Sequence, residues 1–203
     1  MEIEKYSLSF TSATLLHQES VLVAELYLHM GDWNEVRDQV MSKNLLQSRT
    51  INTLKRLCQE IISRLKTCVP EELELLVDGT LEEQGHLLWL AICRRYVFIG
   101  DFSIEILRER ALSLKFSLGH DDFDAFFHRK AEWHDELERI KPATKAKLRQ
   151  FLFRMLREVG FLASDGSIKP VMLSPRLLKV IARNDYEDIR FFPTFDSHLV
   201  QQI

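Results

Sequence analysis

The sequence predicts an all-α fold, a compact helical bundle wrapped around a buried central helix, with one minor β-hairpin near the C-terminal end. Three observations carry this. The run Leu87-Leu88-Trp89-Leu90-Ala91-Ile92-Cys93, followed by Tyr96, Val97, Phe98 and Ile99, is apolar on every side at helical spacing, which suits a helix enclosed by others. Apolar residues elsewhere recur every three or four positions between Gly and Pro punctuation. A lone Asp165-Gly166 pair joins two short stretches with strand character, Phe161-Leu162-Ala163-Ser164 and Ser167-Ile168-Lys169.

In chain order, Tyr6, Leu8 and Phe10 alternate with polar neighbours, predicting an extended arm over residues 1–11. A helix begins near Ser12 or Ala13 and stops at Gly31; Asp32 with Glu35 forms a capping-box pattern for a second, ending near Asn44. From Ser48 a longer helix sets Ile51, Leu54, Leu57, Cys58, Ile61, Ile62 and Leu65 on one face, opposite Arg49, Asn52, Arg56, Gln59 and Ser63. Pro70 opens a short acidic helix, Thr80 with Glu83 caps the central one, and Gly100-Asp101 predicts a break in it. Phe123, Phe126 and Phe127 define the apolar face of the next helix. Pro142 starts another, carrying Leu148, Phe151, Leu152, Met155, Leu156 and Val159 to a stop at Gly160. Ser174-Pro175 caps a last helix, and an irregular tail over residues 184–203 brings Ile189, Phe191, Phe192 and Phe195 back towards some surface. No repeat or linker divides the chain, so one domain over residues 1–203 is expected.

The net charge of −3 excludes a globally basic nucleic-acid protein and leaves room for local patches. Two occur. Between Lys43 and Lys66 there are six basic residues against Glu60 alone, and Arg49, Asn52, Lys55, Arg56 and Lys66 make one candidate phosphate-binding set. From Arg139 to Arg157 there are seven basic residues and no acidic one, giving a second set in Lys145, Lys147, Arg149, Arg154 and Arg157. Cations clustered on a rigid helix displace counterions along a DNA or RNA backbone. The Asp-Gly hairpin beside the second set also permits a winged-helix reading. Against both stands internal pairing with the acidic stretches from Glu71 to Glu83 and Asp121 to Glu138.

Other chemistry has less support. His120, Asp124, His128, Glu132 and His134 include a four-residue spacing able to present oxygen and nitrogen ligands, but there is no HExxH motif and no cysteine pair. No phosphate-cradling glycine loop or nucleophile elbow occurs, so neither catalysis nor a cofactor is expected. Cys58, Cys68 and Cys93 read as buried thiols of a reducing compartment, Trp33, Trp89 and Trp133 as packing anchors. Arg94 and Arg95 interrupt the apolar run short of the span a bilayer needs, and the first residues lack a signal-peptide pattern, so a cytoplasmic protein without membrane contact is expected.

Ala24-Glu25-Leu26-Tyr27-Leu28 with Asp32-Trp33, Asn44-Leu45-Leu46-Gln47 with Arg49-Thr50, Leu88-Trp89-Leu90-Ala91 to Phe102, Asp122-Phe123-Asp124-Ala125-Phe126-Phe127 with Lys130-Ala131-Glu132-Trp133-His134, and Lys147-Leu148-Arg149-Gln150 to Glu158 together resemble the BrxA family of BREX bacteriophage-exclusion systems. The likeness runs from about Tyr6 to about Leu178. It implies a fold similar to the NusB antitermination factor, binding of double-stranded DNA, work alongside other BREX proteins and no enzymatic activity. An older inner-membrane label of that family conflicts with the charge-broken apolar run. An adaptor that docks other defence subunits, with incidental DNA affinity, is the competing expectation.

Overall fold

The computed structural model describes residues 5–195. It is helical throughout: α1 (His17–Met30), α2 (Trp33–Lys43), α3 (Ile51–Leu65), α4 (Pro70–Asp78), α5 (Leu81–Arg95), α6 (Val97–Phe102), α7 (Glu109–Leu112), α8 (His120–Ala131), α9 (Asp135–Glu138), α10 (Pro142–Glu158) and α11 (Pro175–Asn184). Short 3-10 turns cover Ser9–Ser12 and Tyr186–Phe191. The ends of the predicted arm and tail, residues 1–4 and 196–203, lie outside the described residues.

The central element is α5. Glu83 and every residue from Gly85 to Cys93 are buried, as all-round apolarity requires. Its start is a reciprocal capping box: the Glu83 backbone N–H donates to Thr80 Oγ1 at 3.2 Å, and Thr80 N–H donates to Glu83 Oε2 at 2.9 Å. Helices α1, α3 and α4 pack around it. The same buried cluster continues from Tyr6 and Phe10 in the arm to Ile189 and Phe192 in the tail.

The break in the central helix falls at Tyr96, not at Gly100. Tyr96 has φ −122° and ψ 88°, and its hydroxyl donates to Glu60 of α3 at 2.6 Å, so a buried side-chain anchor ends α5. Gly100 lies inside α6, where an added Cβ would stand 3.0 Å from the Phe191 ring and 3.2 Å from the Cys93 carbonyl oxygen. Its smallness admits the tail. A widened π-type turn follows over Ser103–Arg108, with Ser103 Oγ donating back to the Ile99 carbonyl at 2.9 Å.

Residues 185–195 of the tail take up more regular structure than their sequence suggests. Residues Tyr186–Phe191 form a strap across the central helix: Trp89 Nε1 donates to the Phe191 carbonyl at 2.9 Å, and Phe192 is fully buried. Arg94 fastens the strap. Its guanidinium donates to Glu72 at 2.6 and 2.7 Å and, through Nε, to Asp188 at 2.8 Å.

The expected hairpin does not form as strands, and no sheet occurs among the described residues. Around Gly166, at φ +85°, the chain makes a tight turn with one isolated bridge, Leu162 to Ile168, and a second from Ser167 to Ser117. The flanking stretches are too short to extend a ladder. The first emerges directly from the α10 terminus at Gly160, and the second runs into Pro170, which has no N–H to pair. The segment Phe116–Leu118 takes up neighbouring backbone groups, with Ile168 N–H donating to the Phe116 carbonyl at 2.7 Å and Leu118 N–H to that of Gly166 at 2.9 Å. The strand-built wing of the winged-helix reading is therefore not present.

Candidate nucleic-acid interface

The first basic set lies on α3 and the turn before it. Thr50 is the N-cap, its Oγ1 accepting from Thr53 N–H at 3.2 Å. Arg49, Asn52, Lys55, Arg56 and Lys66 are all exposed, and none of these cations has an ion-pair partner among the described residues. The reason lies on the opposite face. Glu60, the sole carboxylate between Lys43 and Lys66, turns inward and accepts from Arg64 Nε at 2.7 Å and from the Tyr96 hydroxyl at 2.6 Å. Arg64 is buried as well, its Nη1 donating to the Thr14 carbonyl at 2.6 Å. The internal pair removes one acid and one base from the surface, and what is left outside α3 is purely positive. Ile51, expected inside, is 64% exposed at the start of this face.

A groove of about 680 Å³ separates α3 from α2. Lys55, Gln59 and Lys66 line it from the α3 side, Trp33, Asn34 and Arg37 from the α2 side. Trp33 is half-buried and stacked on Tyr27, with ring centroids 3.8 Å apart and planes 9° from parallel. Asp32 starts α2, its Oδ1 accepting from Asn34 N–H at 2.6 Å and Glu35 N–H at 3.2 Å. These bonds, with a smaller contribution from Lys66, hold its carboxyl below the ordinary range. Sequence reasoning missed Arg37 because Glu35 and Asp38 neutralise its stretch of chain. Among the described residues its one ion-pair partner is Asp38, at 3.5 Å across an exposed pair that contributes little.

The second basic set is divided. Asp124 of α8 lies between two of its members, 3.0 Å from Lys145 Nζ and 2.6 Å from Arg149 Nη1. Its carboxyl sits below the usual range: burial pushes it up, and Lys145 and Arg149 outweigh that. Arg154 pairs with Glu158 at 2.9 Å. Lys147 and Arg157 remain exposed, resting over the Phe151 and Phe153 rings at 5.8 and 6.0 Å. Of the five α10 residues, Lys147 and Arg157 have no carboxylate partner among the described residues, whereas Lys145, Arg149 and the exposed Arg154 each have one.

The postulated metal ligands do not converge. Asp124 faces the two cations just described, His120 meets the Phe153 ring edge-on at 5.1 Å, and His134 stacks on Tyr6 at 3.9 Å. Among the described residues no group of three or more His, Cys, Asp or Glu side chains is placed to hold a metal ion. Of the tryptophans, Trp89 is an enclosed anchor, whereas Trp133 is 70% exposed. Among the described residues no helix is long and apolar enough to cross a membrane.

Comparison with known proteins agrees with this architecture. The BREX protein BrxA of Escherichia coli O9:H4 (strain HS) is 26% identical over 177 residues, 86% of this chain and 83% of the relative. The BREX protein BrxA of Paramagnetospirillum magneticum (strain ATCC 700264 / AMB-1) is 22% identical over 183 residues, 89% of this chain and 92% of the relative. The crystal structure of an uncharacterized protein from Magnetospirillum magneticum shares the fold, with a TM-score of 0.81 at 20% identity over 94% of this chain and 98% of that one. The family description BrxA matches residues 4–185, nearly the whole described chain, and the protein therefore belongs to the BrxA family.

Proposed function

We propose that this chain is a non-catalytic, double-stranded DNA-binding component of a BREX bacteriophage-defence system, working with other BREX proteins and holding DNA mainly by its phosphates. Family membership supports the system. The observation that supports DNA is the exposed α3 face, where Arg49, Lys55, Arg56 and Lys66 have no carboxylate partner among the described residues while the neighbouring acid is turned into the core. A surface with unneutralised cations on a rigid helix attracts a polyanion without reading its sequence. The NusB-like arrangement implied by the resemblance belongs to the same proposal, and a helical bundle closed around α5 is consistent with it.

The test is fluorescence anisotropy of labelled duplex DNA over a salt series. With four phosphate contacts, log affinity falls with log salt at a slope near −3.6, about 150-fold between 50 and 200 mM. Lys55→Glu/Arg56→Glu flattens the slope and weakens all duplex sequences alike, whereas Lys147→Glu/Arg157→Glu changes little. Absence of duplex binding at low salt removes the duplex-DNA reading. Duplex binding unchanged by the α3 pair, with loss of a BREX partner instead, favours the adaptor.

A further inference from the structure

The groove between α2 and α3 holds more than a phosphate track requires. A backbone contact surface needs cations alone, yet here a tryptophan lines the same cleft as Lys55, Lys66 and Arg37, with the amide side chains of Asn34 and Gln59 beside them. Trp33 has one ring face covered by Tyr27, which fixes its plane before any ligand arrives and lowers the entropy lost on stacking. The volume of about 680 Å³ lies in the range of small-ligand sites. A duplex in B form keeps its bases stacked on one another and cannot offer an aromatic face to such a cleft. An unpaired nucleotide offers both a base face and a phosphate.

The cleft is continuous with the duplex-facing surface. At 100° per residue, Asn52 and Arg56 occupy the outer stripe of α3, with Arg49 in the turn before it, and Lys55, Gln59 and Lys66 the adjoining stripe that faces α2. A strand running along the outer stripe reaches the groove within one helix width. We infer that the α2–α3 groove binds an unpaired nucleotide of a DNA strand, base against Trp33 and phosphates between Lys55, Lys66 and Arg37, so that the protein prefers junctions of duplex with single strand to uninterrupted duplex. This rests on the DNA-binding reading above.

The experiment compares a blunt duplex, the same duplex with a thymidine overhang, and oligothymidylate alone. Binding is followed by anisotropy and by tryptophan emission of the otherwise native chain carrying Trp133→Phe, in which the enclosed Trp89 is shielded from ligand. The overhang tightens binding by about 5- to 150-fold, the usual value of one base stacked on an aromatic side chain, and quenches emission. Trp33→Leu abolishes the gain and the quench while blunt-duplex affinity stays within twofold. Gln59→Glu, an exposed change that places a negative charge in the groove, removes the ratio of overhang to blunt affinity and the quench without touching the Tyr27 stack, while blunt-duplex affinity also falls because the new carboxylate neighbours Lys55, and Trp33→Phe retains most of the gain. Equal affinity for blunt and overhanging duplexes overturns the inference, as does a gain that survives both Trp33→Leu and Gln59→Glu. If blunt duplex fails to bind, the duplex reading alone falls, because oligothymidylate quenching still reports on the groove.

Discussion

Replacing Arg94 by methionine keeps the side-chain length and removes the charge that joins three parts of the molecule. Arg94 of α5 donates to both oxygens of Glu72 on α4, to Asp188 in the strap and, through Nη1, to the Thr67 carbonyl at 3.0 Å. The Glu72 side chain has no exposed surface, and only 12% of the Arg94 side chain is exposed. Water cannot solvate the carboxylates when the guanidinium goes. Breaking one partner out of a buried ion pair costs about 3–5 kcal/mol, which at about 2–4 °C per kcal/mol for a chain of this size lowers Tm by about 6–20 °C. Circular dichroism through thermal or urea unfolding measures the loss. Asp188, whose carboxyl burial already pushes up, takes up a proton more readily once the guanidinium is gone, so the deficit is greatest near pH 8 and shrinks towards pH 5. Adding Glu72→Gln and Asp188→Asn to Arg94→Met removes the unpaired charges and recovers a large part of the stability. A deficit under about 1 kcal/mol at pH 8, or one indifferent to the two neutralising changes, would refute the assignment of this triad as the fastening of the strap.

Three further outcomes follow from particular contacts. Asp124→Asn releases Lys145 and Arg149 from their shared carboxylate; with DNA on α3 the salt slope in the anisotropy series stays unchanged, and a slope steeper by up to about 1.8 would place α10 on DNA as well. His86 is enclosed among Phe161, Phe192 and its own helix, and burial lowers its pKa to about 4 against the opposing pull of Glu83. The unfolded chain therefore binds this proton first. Its contribution to stability is complete above about pH 6.5 and is lost as pH falls through 4, up to about 3 kcal/mol in all; denaturation of His86→Leu at pH 7.5 and 4.5 should show that much less acid sensitivity. Ser174→Ala removes both the α11 N-cap, where Oγ accepts from Leu177 N–H at 3.1 Å, and the 2.6 Å bond to Glu83. The expected loss is about 1–2 kcal/mol in urea unfolding, and a neutral result would show that Glu83 is held by Thr80 alone.

The sequence disclosed what depends on neighbours in the chain and concealed what depends on neighbours in space. Thr80 with Glu83, Ser174 with Pro175, and the apolar surround of Leu87 to Cys93 are local patterns, and each produces the element it predicts. Gly100 shows the limit: a glycine at the end of an apolar helical run reads as a break, whereas its role is to let Phe191, far along the chain, approach the helix. The Asp-Gly pair sets the turn correctly and cannot show that the segments on either side are too short for a ladder. Of the candidate site, the α3 cations were visible as a cluster. The groove was not, because Arg37 and Trp33 belong to a different helix whose local charge is balanced and whose aromatic residue satisfies a packing pattern.

Charge counted along the chain and charge exposed in space rank the two basic segments oppositely. Residues 139–157 are the richer by count, seven bases to no acid, against six to one for residues 43–66. Folding reverses this. The lone acid of residues 43–66 is withdrawn into the core with an arginine of its own, leaving the surface of α3 without a compensating carboxylate, while α8 and the end of α10 deliver Asp124 and Glu158 to the cations of α10. An anion approaching α10 has to displace carboxylates already in place, whereas one approaching α3 displaces only water and mobile ions. That difference in what must be displaced, rather than the number of basic residues, is why α3 is the face on which a polyanion is expected to settle in a protein whose net charge is −3.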